Sequence, residues 1–96
     1  MARYRVLAWR SIPSLIEVQD GAEVVGRALS PRFQELIDAV AMREGASETD
    51  AYLDGWARGP EHERAGSAAE VADAVAAELE SGFADLVTRH LGGPSG

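Results

Sequence analysis

LIEVQDGAEVVGRAL, residues 15–29, decides the fold class of this chain. In LIEVQ, residues 15–19, Ile16 and Val18 lie two apart and so share one face of an extended strand. Asp20-Gly21 follows, a pair suited to a tight hairpin because a type I′ turn needs positive φ at both central positions. AEVVGRAL, residues 22–29, then returns as an antiparallel strand, with Gly26 as a bulge or weak point. A helix over 22–29 is the competing reading, and the Asp-Gly turn with its paired valines favours the strand. Were residues 1–30 helical, the protein would be all-α. As strands they make it α+β.

Working outward, RYRVLAW, residues 3–9, is aromatic and β-branched enough for a first strand, which Ser11-Ile12-Pro13 interrupts. SPRFQELIDAVAMREG, residues 30–45, is punctuated as a helix. Ser30 stands at the cap, Pro31 occupies the first turn where its missing N–H costs nothing, and Gly45 offers the left-handed stop. Phe33, Leu36, Ile37, Val40 and Ala41 recur at the three-and-four spacing of one buried face. Ser47-Glu48-Thr49-Asp50 resembles a capping box opening a very short helix. YLDGWAR, residues 52–58, reads as a fourth strand packed through Leu53 and Trp56, and GPEHERAG, residues 59–66, as a polar loop. A second capping box, Ser67 with Glu70, starts an alanine-rich helix that buries Val71, Val75 and Leu79. The order β-β-β-α-(short α)-β-α describes an α+β, two-layer domain. Its mostly antiparallel sheet has three to four strands, and two main helices cover one face.

Ninety-six residues suit one domain, placed at residues 1–91, with 82–91 as a helical extension and 92–96 as a disordered tail. Cysteine is absent, which removes disulfides, thiolate metal sites and thiol catalysis. No apolar run approaches the roughly 20 residues of a membrane span, and MARYRVLAWR is too interrupted by arginine for a signal peptide. A cytoplasmic location and no membrane partner are expected. The net charge of −7 lies wholly in residues 47–96, where ten acids face Arg58, Arg64 and Arg89. Such a domain repels phosphate backbones, so nucleic acid is not an expected partner.

Chemistry-bearing residues are sparse. His62 stands in Glu61-His62-Glu63, but adjacent loop side chains do not converge on one point, and no second histidine lies at ligand spacing. His90, near a helix C-terminus, complements the dipole there. Asp54 next to Gly55 fits a turn better than a general base. No phosphate loop, nucleophile elbow or paired metal motif is present, so no catalytic residue, metal or cofactor is assigned.

The aromatic residues are more informative. Tyr4 and Trp9 fall on the first strand, Tyr52 and Trp56 on the fourth. If those strands are neighbours, Trp9 and Trp56 can sit side by side. Trp56 is expected in the core; Trp9 either caps the core or stands on the open sheet face as a binding anchor. A continuous helix over 68–91 would be about 36 Å long, against roughly 17–20 Å for a strand of five or six residues. Its second stripe, Phe83, Leu86, Val87 and Leu91, therefore either folds back at Ser81-Gly82 or forms an exposed patch for a partner.

LSPRFQELIDAVAMREG, SETDAYLDGW and GSAAEVADAVAAELE, in that order, together with the opening YRVLAWRSIPS, resemble the small bacterial proteins called "virulence factor" family proteins. The likeness spans about residues 3–81. It brings no established reaction and no catalytic residues. In some larger proteins a similar domain is joined to an iron–sulfur scaffold-like domain and helical repeats, which implies an accessory or interaction role. Stand-alone members are said to neighbour one-carbon and folate enzymes. The expected function is a non-catalytic accessory or protein-interaction domain, bound to another protein or to itself as a homodimer through Trp9, Phe83, Leu86, Val87 and Leu91. The alternative is a small subunit of an enzyme complex in one-carbon or folate metabolism, lending Trp9, Asp54 and His62 to a shared site.

Overall fold

A computed structural model describes residues 1–45 and 50–92. The capping box at Ser47 and the tail beyond Gly92 lie outside these residues. Three long strands come first: β1 (Ala2–Trp9), β2 (Ile12–Asp20) and β3 (Glu23–Ala28). They form an antiparallel meander, as residues 15–29 suggested. Helix α1 (Pro31–Arg43) and the single turn α2 (Asp50–Asp54) follow, then β4 (Trp56–Arg58), β5 (His62–Arg64), α3 (Ala68–Ser81) and α4 (Phe83–Leu91). The sheet order is β3-β2-β1-β4, and β5 also pairs with β1. The protein is α+β, with an antiparallel sheet of five strands.

Both hairpin turns depart from the sequence reading. The first connection is Arg10-Ser11, with φ of 47° and 71°. Both central residues are left-handed, so this turn has the type I′ signature without a glycine. The second is one residue later than expected. Gly21 has φ of 62° and Ala22 is not left-handed, which matches a type II′ turn with glycine in the first central position. Ile12 and Pro13 do not end a strand but begin β2. Pro13 is tolerated because the β1–β2 register shifts between Leu7 and Ala8, and because β3 pairing stops at Leu15 opposite Ala28. Gly26 makes no bulge; the β2–β3 register runs unbroken from Leu15 opposite Ala28 to Asp20 opposite Glu23.

Residues 52–58 are not one strand. Their first half is the turn α2, and Leu53, expected to pack, is 68% exposed. The polar loop 59–66 is partly sheet, because β5 pairs with the start of β1 through Tyr4 opposite His62. Between β4 and β5 the ladder continues only through Gly59, whose N–H donates to Val6 O at 2.9 Å. Pro60 has no N–H to give, and the edge breaks there.

The helices cover one face of the sheet. Phe33, Leu36, Ile37, Val40 and Ala41 of α1 and Val71, Val75 and Ala76 of α3 are buried with Ile12, Ile16 and Val18 of β2. Ser30 does not cap α1 with its own side chain. Its N–H and hydroxyl instead donate to the Glu80 carboxylate at 2.7 and 2.8 Å, and Arg32 joins them at 2.9 Å. The start of α1 is thus tied to the end of α3, and the carboxylate sits at a helix N-terminus, where the dipole favours it. The Ser67–Glu70 capping box forms as expected, with bonds of 3.2 and 3.0 Å. Gly45, with φ of 71°, supplies the left-handed stop of α1.

The expected 24-residue helix is two helices. Gly82 closes α3 and opens α4, and α4 turns back onto α1. Phe83 meets Phe33 edge to face at 4.9 Å, and Arg43 donates to Leu91 O at 2.9 Å. Leu86 is buried, and Val87 and Leu91 pack against the core. The exposed patch expected from Phe83, Leu86, Val87 and Leu91 does not form, because the bend at Gly82 gives that stripe the α1 surface to cover.

Candidate interaction surface

Trp9 belongs to the core. It is 0% exposed, and its Nε1–H donates to Tyr52 O at 2.7 Å. Trp9 and Trp56 are cross-strand partners, as their neighbouring strands require. Tyr52 lies 5.8 Å from the Trp9 ring and 6.1 Å from Trp56, and the Arg10 guanidinium covers Trp9 at 4.7 Å. Gly55 is needed beside this cluster, since a Cβ there would fall 2.4 Å from Trp9 Nε1. Trp9 is therefore an anchor for β4 and not an exposed binding residue.

Asp54 and His62 are not brought together. Asp54 ends α2 beside the Trp9 end of β1, whereas His62 stacks on Tyr4 at 5.2 Å. Tyr4 and Trp9 are five residues apart, about 17 Å along a strand. His90 packs against Ser11 at 3.4 Å, and burial, followed by the nearby Arg89 charge, holds its pKa below the ordinary value. Among the described residues, no three His, Asp or Glu side chains converge as a metal site, and no helix is long and apolar enough to cross a membrane.

What the helices leave uncovered is the other face of the sheet and its β3 border. Alternation along β1 and β2 sends Arg3, Arg5, Glu17 and Gln19 to that face. Arg58 donates to Glu17 at 2.8 Å, and Glu61 lies 3.9 and 3.7 Å from Arg3 and Arg5. These residues and Val24 line an open groove of about 330 Å³. Its charges are mutually compensated, with Glu63 opposite Arg3, so the groove by itself selects no ligand of one sign. The sequence reading passed over this face, although the spacing Arg3-x-Arg5 and Glu17-x-Gln19 already marked it.

The β3 border is different in kind. Strand β3 is terminal in the sheet, and all its residues except Val25 are exposed. Val24 is 70% exposed, and nothing lies within 4 Å of where a Cβ on Gly26 would be. Leu29 N–H donates to Ser14 O at 3.0 Å. By strict alternation, the N–H and C=O groups of Val25 and Arg27 then also face β2, and those of Val24, Gly26 and Ala28 face outward. Three of the six residues of β3 thus present main-chain groups that no described residue pairs.

An antiparallel sheet carrying its helices on a single face, with β3 as a terminal strand, defines a small α+β domain. The family model described as "Virulence factor" matches residues 7–89, most of the chain, and the protein belongs to that family. The match reaches beyond residue 81 and includes nearly all of α4. No curated protein and no solved structure matches the chain.

Proposed function

We propose that this member of the Virulence factor family is a non-catalytic interaction domain that joins a protein partner, or a second copy of itself, along the β3 edge. The observation that carries this reading is the edge itself: six residues in unbroken register with β2, without proline or bulge, and uncovered by any described element. An exposed strand of this kind offers main-chain donors and acceptors as affinity and alternate side chains as specificity. A cytoplasmic setting is part of this proposal. No observation favours the alternative of a shared active site, because Trp9 is buried and Asp54 and His62 stand at opposite ends of β1.

The test is comparative capture from the native host with wild type and Val24→Pro. The Val24 N–H faces outward, so proline there blocks the edge and leaves the β2 ladder intact. Proteins retained by wild type and lost by the variant support the reading. Identical capture by both, or substrate turnover by the isolated protein, overturns it.

A further inference from the structure

We infer that the occupant of the β3 edge is β3 of a second copy, paired antiparallel about a two-fold axis through Val25. This rests on the reading of β3 as a binding edge and adds the identity and register of its occupant. Three features of the strand fit this register, and the charge pairing fits no neighbouring one.

The first is main-chain phase. The outward groups belong to Val24, Gly26 and Ala28. An axis at Val25 places Val24 opposite Gly26 of the second copy, and both are outward-facing residues, so each such pair exchanges two hydrogen bonds. Ala28 falls opposite Ala22 in the turn, so the ladder consists of the Val24–Gly26 pair made twice. The two Val25 residues meet as a non-hydrogen-bonded pair, the closer kind of cross-strand contact.

The second is charge. Glu23 and Arg27 lie on the same face as Val25, the face on which Arg27 makes its ion pair with Asp73 of α3. The axis at Val25 sets Glu23 opposite Arg27 of the second copy, twice by symmetry. Asp73 holds Arg27 in place, and Arg27 then sits between two carboxylates. Like charges set directly opposite each other across two strands would repel a second copy. Here the two charges sit at opposite ends of the strand with opposite sign, and the edge is complementary to itself. Moving the axis by one residue sets Glu23 opposite Val25 or Leu29 and loses both pairs.

The third is shape. On the open face, the exposed Val24 side chain comes to rest over Gly26 of the second copy, where no side chain stands in the way. The same contact is made twice. A closed two-fold pair joins the two sheets into one and leaves each copy's β4/β5 edge, already interrupted at Pro60, at the outside. The contact is short, which makes it a reversible dimer and not an obligate one.

Sedimentation equilibrium on the full chain, from micromolar to near-millimolar protein, reads the result. Wild type is expected to dimerise with rising concentration. Glu23→Arg sets arginine against arginine, and Arg27→Glu sets glutamate against glutamate, so each alone is expected to be monomeric. An equimolar mixture of the two single variants restores both ion pairs and is expected to form a mixed dimer, as is the protein carrying both changes. Circular dichroism of each variant separates loss of pairing from loss of fold, and Glu23→Arg, which touches no described ion pair, serves where Arg27→Glu disturbs Asp73. Wild type that stays monomeric overturns self-pairing, while the capture experiment above still decides whether the edge binds another protein. A dimer that survives both single variants, or a mixture that stays monomeric, overturns this register.

Discussion

Along β3, six residues keep register with β2 and expose their outer main-chain groups, whereas the opposite edge is assembled from two three-residue strands, β4 and β5, with Gly59-Pro60-Glu61 between them. The second edge is closed by several means at once. Proline removes a donor, charged side chains span it from Arg58 to Glu17 and from Glu61 to Arg3 and Arg5, and both pieces are tied inward. Trp9 holds β4 through Trp56 and Tyr52, and Arg64 holds β5 to Glu78 of α3 at 2.7 Å. On β3 the only described ion pair to a helix is Arg27 with Asp73, beside Val25, which packs half-buried against the core. The β4/β5 edge is broken up, whereas β3 is continuous.

The strongest way to break this contrast is to loosen the fastened edge from inside. Gly55→Ala places a methyl group 2.4 Å from Trp9 Nε1, within the buried aromatic cluster. Neither the indole nor the backbone at Gly55, whose carbonyl accepts from Arg10 N–H at 3.0 Å, can move without disturbing β4. A loss of about 1–3 kcal/mol is expected, the usual cost of overpacking. Urea unfolding checks it, and amide exchange should quicken in residues 56–58 well before β3. Unchanged stability would mean that Trp9 does not anchor β4.

Much of this architecture was legible in the sequence, because it rests on local chemistry. Phe33, Leu36, Ile37, Val40 and Ala41 announce α1 by spacing, and Ser67 with Glu70 announces α3 by its reciprocal cap. What escaped depends on contacts distant in sequence. The Arg10-Ser11 turn is left-handed without glycine, held by the Arg10–Glu44 ion pair and by Trp9 stacking, so no local signal marks it. Residues 62–64 read as loop because their strand character comes from pairing with β1, about 60 positions earlier. The stripe from Phe83 to Leu91 was visible, but whether it faced solvent or α1 turned on the backbone at Gly82. The open edge was harder still. Alternation could assign the faces of β3, yet only the sheet order shows that β3 is last.

Acid sharpens the comparison through the carboxylate that fastens β5. The Glu78 carboxyl is held below the ordinary carboxylate value of 4.5 by the hydrogen bond from Arg64 and by that residue's charge. Because the folded-state pKa is the lower one, the stabilisation is present above that ordinary value and is lost as pH falls through the folded pKa. Protonation frees Arg64 and with it β5. Amide exchange measured as pH is lowered should therefore show residues 62–64 opening relative to residues 23–28. Glu78→Gln should show the same opening at neutral pH. If β5 stays protected in both, main-chain pairing with β1 holds that edge unaided. The effect is smaller than that of Gly55→Ala, since the pair is largely solvent-exposed and screened.

The smallest expected effect on stability is at β3 itself. Val24 is 70% exposed, lies in a strand whose register with β2 is regular, and directs its N–H away from β2. Val24→Pro should therefore remove no hydrogen bond within the protein, and proline is accepted on an edge strand when its missing N–H would face solvent. A change within about 0.5 kcal/mol is expected, as for other surface positions. The same ring removes an outward donor and projects into the space a pairing strand would fill, so association along the edge should be abolished while the fold persists. Val25→Pro, one residue on, is the control. Its N–H faces β2, and losing that bond in the ladder should cost far more. Thermal unfolding of the two variants side by side tests the phase of the strand directly. Equal losses in both, or the larger loss at Val24, would mean that the outward groups of β3 have been assigned to the wrong residues, and the unpaired edge would have to be redrawn.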